Sequence, residues 1–189
     1  MSTIRLSGTT SGHYDLTVPA VAGTNSIDLS NLAVKDTNGN ITGVGGPTPS
    51  FMATASASTT NNASNTAAKF PFNTVQFNIG GGTYDTTNHR WTPGIAGWYM
   101  IHGNVVMKDY QDNNNYEQQN VAIRKNGSEV NFVRRHLTGL HAAGSYNTIS
   151  INIPIQLGTT DYVEVWSSCY NTNFDMIHFG SWFSGFRVN

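Results

Sequence analysis

The sequence contains 189 residues, with a formal net charge of −1 and only 10 lysines and arginines. Because a nucleic-acid surface needs clustered cations, we expect no nucleic-acid partner. Charged residues make up 11% of the sequence, and most polar positions hold Asn, Thr, Ser or Gly, which favour turns and strands over helices. The composition therefore predicts an all-β protein.

The cysteine content and the distribution of apolar residues limit the cellular context. A single cysteine, Cys169, excludes an intrachain disulfide and is predicted to be a small buried apolar side chain. No cationic segment followed by an apolar one opens the sequence, and no run reaches the roughly 18 apolar residues of a membrane span. We expect a protein made in the cytoplasm without a signal peptide and not inserted in a membrane.

Three regions differ in composition. Residues 1–42 hold short strand-like pieces, and residues 43–50, "GVGGPTPS", form a Gly- and Pro-rich stretch without apolar periodicity, which predicts a linker. Residues 51–189 carry regular strand and turn signals and are expected to form one compact β domain.

The first strong strand of this domain begins at Gly97, where an apolar run follows the turn-like segment 89–96. Residues 98–101 are apolar at both alternating positions, whereas a strand with one face in water alternates apolar and polar residues. Both faces are therefore predicted to be buried. Either the strand lies wholly inside one domain, or one face packs in the core and the other contacts a second subunit.

Two further elements follow in the chain. Asn126 and Gly127 supply a positive-φ turn between two alternating runs and predict a β-hairpin. Residues 148–157 place isoleucines and a leucine at strict period two, and Pro154, which cannot donate to a ladder, predicts an edge strand or a bulge. Many short strands of this kind indicate a sandwich or a barrel.

The segment from Tyr84 to Val106 resembles the signature of the jelly-roll superfamily of complement C1q and tumour necrosis factor (TNF). The matching residues are Tyr84, Asp85, Trp91, Pro93, Gly97 and Tyr99. Three further family marks stand in order, namely an early strand at 72–78, the Asn-Gly hairpin at 124–130 and a terminal strand at 183–188, so that the resemblance covers about residues 49–189. Gly158 and Asp161 depart from the family pattern, where Gly and Asp are adjacent.

This resemblance implies a jelly-roll β-sandwich of about ten antiparallel strands that assembles as a homotrimer about a threefold axis. It also suggests which residues contact the neighbouring subunit, with the central strand and the terminal strand as the expected contributors. The candidate trimer-interface residues are Trp98, Tyr99, Ile101, His102 and Phe186.

The N-terminal segment from Leu6 to Leu29 resembles a short module of bacteriophage tail-fibre proteins, and the likeness extends over about residues 3–30. The segment Pro19 to Asn25 matches that module closely. The resemblance implies attachment to other virion proteins, a location in the phage particle and synthesis in the bacterial host cytoplasm. The candidate attachment residues are Tyr14, Leu16, Val18, Pro19 and Val21.

No combination of residues predicts catalysis or a bound cofactor. The six histidines are scattered, without the spacing of a zinc site, and no acidic pair can be assigned to a groove. Asp109, Asp112 and Glu117 supply hard oxygen ligands of the kind that calcium favours, but a solvated loop is the stronger interpretation because Asp and Asn are ordinary turn residues. We expect a protein that is not an enzyme.

Two segments combine aromatic and amide side chains, from Tyr110 to Tyr116 and from Cys169 to Trp182. This combination suits a saccharide or a protein epitope as the bound host-surface partner. The alternative is that Phe174, Phe179 and Trp182 anchor the second segment to the core. The candidate receptor-binding residues are Tyr110, Asn113, Asn114, Tyr116, Tyr170, Asn173, Phe174 and His178.

Together these observations favour a trimeric bacteriophage fibre protein, of the tail or the head, whose jelly-roll head binds the host cell surface during adsorption. The alternative is a capsid or tail decoration protein without a receptor role.

Overall fold

The computed structural model describes residues 2–7, 13–18, 34–35, 41–42, 48–109, 117–137 and 145–188. The chain divides into two units, Met1–Val44 and Gly45–Asn189. No helix long and apolar enough to cross a membrane occurs in these described ranges. The prediction of an all-β protein is confirmed.

The N-terminal unit contains two antiparallel strand pairs. Strands β1 (Ser2–Ser7) and β2 (His13–Val18) pair along their whole length, and β3 (Val34–Lys35) pairs with β4 (Ile41–Thr42). The attachment candidates Tyr14, Leu16 and Val18 lie on β2, at every second position of the strand. Pro19 and Val21 lie outside the described residues.

The larger unit is a sandwich of two six-stranded antiparallel sheets. Sheet I has the order β14–β11–β16–β5–β8, with β6 also paired to β16. Its strands are β5 (Ser50–Thr54), β6 (Thr59–Asn62), β8 (Thr74–Ile79), β11 (Gly97–Asp109), β14 (Tyr146–Leu157) and β16 (Phe174–Arg187). The linker predicted at 43–50 extends too far, because Ser50 already pairs with Ile79 and Phe186 in this sheet.

Sheet II has the order β13–β12–β15–β10–β9, with β7 also paired to β15. Its strands are β7 (Ala68–Lys69), β9 (Thr83–Asp85), β10 (Arg90–Thr92), β12 (Glu117–Lys125), β13 (Ser128–Leu137) and β15 (Val163–Tyr170). Two packed sheets of this kind form the predicted jelly-roll β-sandwich, and that prediction of the fold is confirmed.

The strand patterns agree with the sequence predictions. In β14 every second side chain is buried from Asn147 to Leu157, and the strand lies at the edge of sheet I, the position in a sheet where proline is tolerated. Strand β11 is central and pairs with β14 on one side and β16 on the other. At the β12–β13 hairpin both Asn126 and Gly127 have positive φ (52° and 81°), as a type I′ turn requires.

The core between the sheets is rich in aromatic side chains. Phe51 is completely buried and stacks on Trp91, with ring centroids 4.5 Å apart, while Phe183 meets it edge-on at 4.7 Å. Tyr84 donates a hydrogen bond from its hydroxyl to the Phe72 carbonyl (2.9 Å), and burial raises the pKa of this phenol. Cys169 is buried, as predicted.

The turn between β14 and β15 is closed by the side chain of Asp161. Its carboxylate accepts a hydrogen bond from the Gly158 N–H (2.7 Å) and forms an ion pair with Lys125 (2.7 Å). The Asn126 amide also donates to it (2.7 Å). The bonds from Lys125, Gly158 and Asn126 lower the pKa of Asp161 to about 2, so the carboxylate is charged throughout the physiological range.

Candidate binding surfaces

The outward face of sheet I, which we call the sheet I face, carries several exposed apolar side chains with uncharged polar residues between them. Cross-strand partners share a face of a sheet, and Met100 pairs with Phe186 while Met52 pairs with Phe77. Large exposed apolar side chains on this face include Trp98 (45% exposed), Phe186 (54%), Phe77 (44%) and Ile79 (54%). Large apolar side chains that are grouped and exposed on one face are typical of interaction surfaces.

The candidate trimer-interface residues divide between the two faces of sheet I. Trp98, His102 and Phe186 lie on the outward face, where they are available to a second subunit. Tyr99 and Ile101 lie on the opposite parity and are completely buried in the sandwich core, so their assignment to the interface is wrong. The Tyr99 hydroxyl donates to the Ile95 carbonyl (2.6 Å), which fixes this side chain inside its own subunit.

His102 is the titratable group in the centre of the sheet I face. Its ring lies against Trp182, with centroids 4.3 Å apart, and its cross-strand partners Asn152 and Ser184 are uncharged. Burial lowers the pKa of the His102 imidazole. The neutral imidazole is therefore favoured at this position.

The first predicted receptor-binding segment lies outside the described residues. This applies to Tyr110, Asn113, Asn114 and Tyr116, and also to the calcium candidate Asp112. The other two calcium candidates, Asp109 and Glu117, end β11 and begin β12. The described residues contain no cluster of three or more metal-ligating side chains. Calcium binding stays the weaker alternative to a solvated loop, and these residues do not test it.

The second predicted receptor-binding segment belongs largely to strand β16. Phe174 is completely buried in the core and cannot contact a receptor, so its assignment to the binding site is wrong. The alternative of a core anchor is correct for Phe174 but not for Phe179, which is 54% exposed and packs on Tyr146 with centroids 5.4 Å apart. Tyr170 is exposed and stays a candidate.

Asn173 and His178 hold the segment around β6. The Asn173 amide accepts a hydrogen bond from the Ser64 N–H (3.0 Å) and donates to Asn61 Oδ1 (2.8 Å). His178 donates from its backbone N–H to Ser58 Oγ (3.0 Å), and its Nδ1 lies 2.9 Å from the same oxygen. These two candidates therefore shape the loop surface besides being exposed on it.

Sheet II carries a groove that the sequence analysis missed. It is a cavity of about 100 Å³ on the outward face of β12, β13 and β15, and its lining includes Arg124, Arg134, Phe132 and Trp166. The alternation of residues in β12 could have indicated it, because the positions between the buried ones, Asn120, Ala122 and Arg124, face outward.

The fold and these surfaces define an all-β jelly-roll protein with two dissimilar outward faces. A structure of Eiger TNF from S. frugiperda is similar with a TM-score of 0.53 and 9% identity, covering 75% of this chain and 92% of that one. A crystal structure of murine APRIL at pH 8.0 is similar with a TM-score of 0.53 and 13% identity, covering 75% and 100%. At such low identity the similarity shows a shared TNF-like jelly-roll fold. No protein-family model matches the sequence, and no curated protein matches it significantly.

Proposed function

We propose that this chain is the subunit of a homotrimeric bacteriophage fibre protein whose jelly-roll head binds the host cell surface. The observation that carries the assembly part of this proposal is the unpartnered apolar sheet I face. The virion and host parts are supported by the resemblance of Leu6 to Leu29 to a tail-fibre module.

The assembly step follows from the energetics of the sheet I face. Complete burial of a large apolar side chain stabilises by about 1.5–3 kcal/mol, and Trp98, Phe186 and Phe77 lie together on this face with much of their area still exposed. The C1q and TNF resemblance implies three chains about one axis, with this sheet turned toward the neighbouring subunits. Such a trimer covers the surface that a single chain leaves in water.

The binding step uses the ends of the sandwich. Loops carried by a rigid scaffold commonly hold binding residues. Tyr170, exposed at the end of β15, and the predicted segment from Tyr110 to Tyr116 are the proposed receptor contacts. Three copies of a weak site on one rigid trimer bind a multivalent surface with high avidity.

Binding competition tests the function. Fluorescently labelled chain is applied to host bacteria, and adsorption of the parent phage is measured with and without an excess of unlabelled chain. Saturable binding that blocks adsorption supports the receptor role. A folded trimer that neither binds cells nor blocks adsorption contradicts it and favours the decoration protein.

A matched pair of variants separates avidity from the receptor contact. Tyr170→Ala keeps the sheet I face intact, so cell binding should fall while the trimer persists. Trp98→Ser combined with Phe186→Ser leaves Tyr170 in place but removes the apolar contact, so cell binding should fall through loss of the trimer. If both variants bind cells like the unmodified chain, these surfaces are not involved in cell binding.

A further inference from the structure

The groove on sheet II is built from three rows of cross-strand partners on β13, β12 and β15. The middle row is Phe132, Ala122 and Trp166. Because the central residue is alanine, two aromatic side chains stand on either side of a small one. This difference in size produces the cavity of about 100 Å³ between them.

The rows on either side of the middle row carry the polar groups of the groove. One row is Arg134, Asn120 and Ser168, and the other is Glu129, Arg124 and Glu164. The depression therefore has one arginine at each end along the strand direction. Both arginines line the same cavity.

Hydrogen bonds and stacking hold these side chains in place. Arg134 Nε donates to Asn120 Oδ1 (3.1 Å), and the Asn120 amide donates to Ser168 Oγ (3.2 Å). The guanidinium of Arg124 lies 4.0 Å from the centre of the Trp166 ring. A site whose side chains are fixed before binding loses less entropy on binding a ligand.

The Trp166 ring is itself held in place by a hydrogen bond to Glu164. Its Nε1 donates to Glu164 Oε1 (2.8 Å), and Glu164, almost completely buried, forms an ion pair with Lys69 (2.5 Å). The charges of Lys69 and Glu164 therefore neutralise each other. The charges of Arg124, Arg134 and Glu129 are left to determine the net charge of the groove.

These remaining groups define the ligand. Within the described part of the chain neither arginine forms an ion pair, and Arg124 Nε, shielded from solvent, has no hydrogen-bond partner. Two arginines and one glutamate leave one net positive charge, which matches one carboxylate. Glu129 and Ser168 can accept hydrogen bonds from hydroxyl groups.

The exposed ring of Phe132 adds an apolar wall, since 44% of this side chain is accessible. A pyranose ring has an apolar face that packs on an aromatic ring, while its hydroxyls and carboxylate lie at the rim.

We propose that this groove binds an acidic monosaccharide unit, such as a uronic acid, with its carboxylate on Arg124 and its ring against Phe132. Arginine recognises carboxylates through paired N–H donors, a geometry that lysine lacks. The proposal concerns a site separate from the Tyr170 end of the sandwich and does not depend on the virion assignment.

Titration calorimetry on the full chain tests the proposal with two probes that differ only at one carbon. Methyl β-glucuronide carries the carboxylate, and methyl β-glucoside is its neutral counterpart. We expect saturable millimolar binding of the glucuronide and affinity for the glucoside lower by about tenfold or more, the range expected for a lost charged hydrogen bond. No binding of the glucuronide, or equal binding of both probes, overturns the proposal.

Variants locate the binding. Arg124→Gln should weaken glucuronide binding by about tenfold or more, whereas Arg90→Gln should not change it. Arg90 is the matched control, because it also lies over an aromatic ring, that of Tyr162 at 4.4 Å, in the same sheet. Equal loss in both variants overturns the proposal, since binding then reflects overall charge.

Because Arg124 lies over the Trp166 ring, Arg124→Gln could weaken binding by moving that ring, and a second variant controls for this effect. Ala122→Leu fills the depression and keeps both arginines, so it should abolish binding in a chain with an unchanged melting temperature. Retained binding overturns the proposal. Sodium acetate is the last arm: affinity equal to that of the glucuronide shows a plain carboxylate site and removes the sugar from the account.

The outcome is separable from the test of host adsorption. If the chain binds glucuronide but does not compete with phage adsorption, the groove proposal is supported and the receptor proposal is contradicted. Adsorption competition that persists in Ala122→Leu shows host contact through another surface.

Discussion

The two outward faces of the sandwich differ in chemistry although the two sheets share one core. The sheet I face presents Trp98, Phe186, Phe77 and Ile79, and the polar residues between them, such as Ser184 and Asn152, are uncharged. Sheet II presents arginines, glutamates and the rings that they contact. An antiparallel sandwich leaves the outward positions of its strands free to vary, so one fold carries an apolar face and a charged, grooved face on opposite sides.

The inward positions do not have this freedom. Phe51, Trp91 and Phe183 interlock across the two sheets, and the glycine at 185 is required there because a Cβ would lie 2.6 Å from Ile101 and 2.8 Å from Phe51. Close packing of this kind restricts each inward residue to a narrow range of sizes.

The largest effect on stability is expected from truncating a side chain in the core between the sheets. Phe51→Ala should lower the free energy of unfolding by about 3–5 kcal/mol, because it leaves a cavity against Trp91 and Phe183. Urea unfolding followed by tryptophan fluorescence measures this. Phe132→Ala, at an exposed phenylalanine on sheet II, is the control and should cost less than about 1 kcal/mol. Similar costs for both would show that the buried aromatic cluster does not dominate stability.

The second effect concerns the sheet I face. Trp98→Ser combined with Phe186→Ser should weaken self-association by about a hundredfold or more, since two large apolar contacts are lost. The unfolding of the separated chain should change little, because both residues are exposed in it. Analytical ultracentrifugation over a concentration series measures the association. Phe132→Ser on sheet II should associate like the unmodified chain, and dissociation in that variant instead would assign assembly to the other face.

The third effect is the pH dependence of the same face. Burial lowers the pKa of His102 in the folded chain. As the pH falls below about 6.5, the unfolded chain therefore binds a proton at this position more readily than the folded chain does. The free energy of unfolding is then highest at pH 7 and decreases toward pH 5. Melting temperatures at pH 7 and pH 5 should differ less in His102→Asn than in the unmodified chain. An unchanged pH response in His102→Asn contradicts this account of the face.

The smallest effect lies in the turn between β14 and β15. The pKa of Asp161 is lowered to about 2, so its contribution to stability is complete above about pH 4 and is lost as the pH falls toward 2. Asp161→Asn should cost about 1 kcal/mol at pH 7 and flatten the stability profile between pH 4 and 2. Glu129→Gln, which removes an exposed carboxylate, should leave that profile unchanged. A steep profile in Asp161→Asn would show that other carboxylates cause the acid sensitivity.

The sequence predicts the features that depend on neighbouring residues alone. The alternation in β14, the edge position of Pro154 and the Asn126–Gly127 turn all follow from local spacing, and the structure confirms them. The overall sandwich follows from the number and spacing of such strands.

The sequence does not predict features that depend on register between strands. The run from Trp98 to Ile101 is apolar at both parities, so only its pairing with β14 and β16 decides that Tyr99 faces the core and Trp98 faces outward. For the same reason the sequence leaves Phe174 open between a receptor contact and a core anchor, because its buried place in β16 depends on distant partners. The sheet II groove combines residues from two hairpin strands and from β15, and no local pattern connects Ala122 with Trp166.

The most direct test of the central claim is the mass of the unmodified 189-residue chain in solution. Sedimentation equilibrium and native mass spectrometry at several concentrations should give a single species of three chains, because the sheet I face is covered only by assembly. A species of one chain at all concentrations, with the sandwich folded, would contradict the assignment of this face to a trimer.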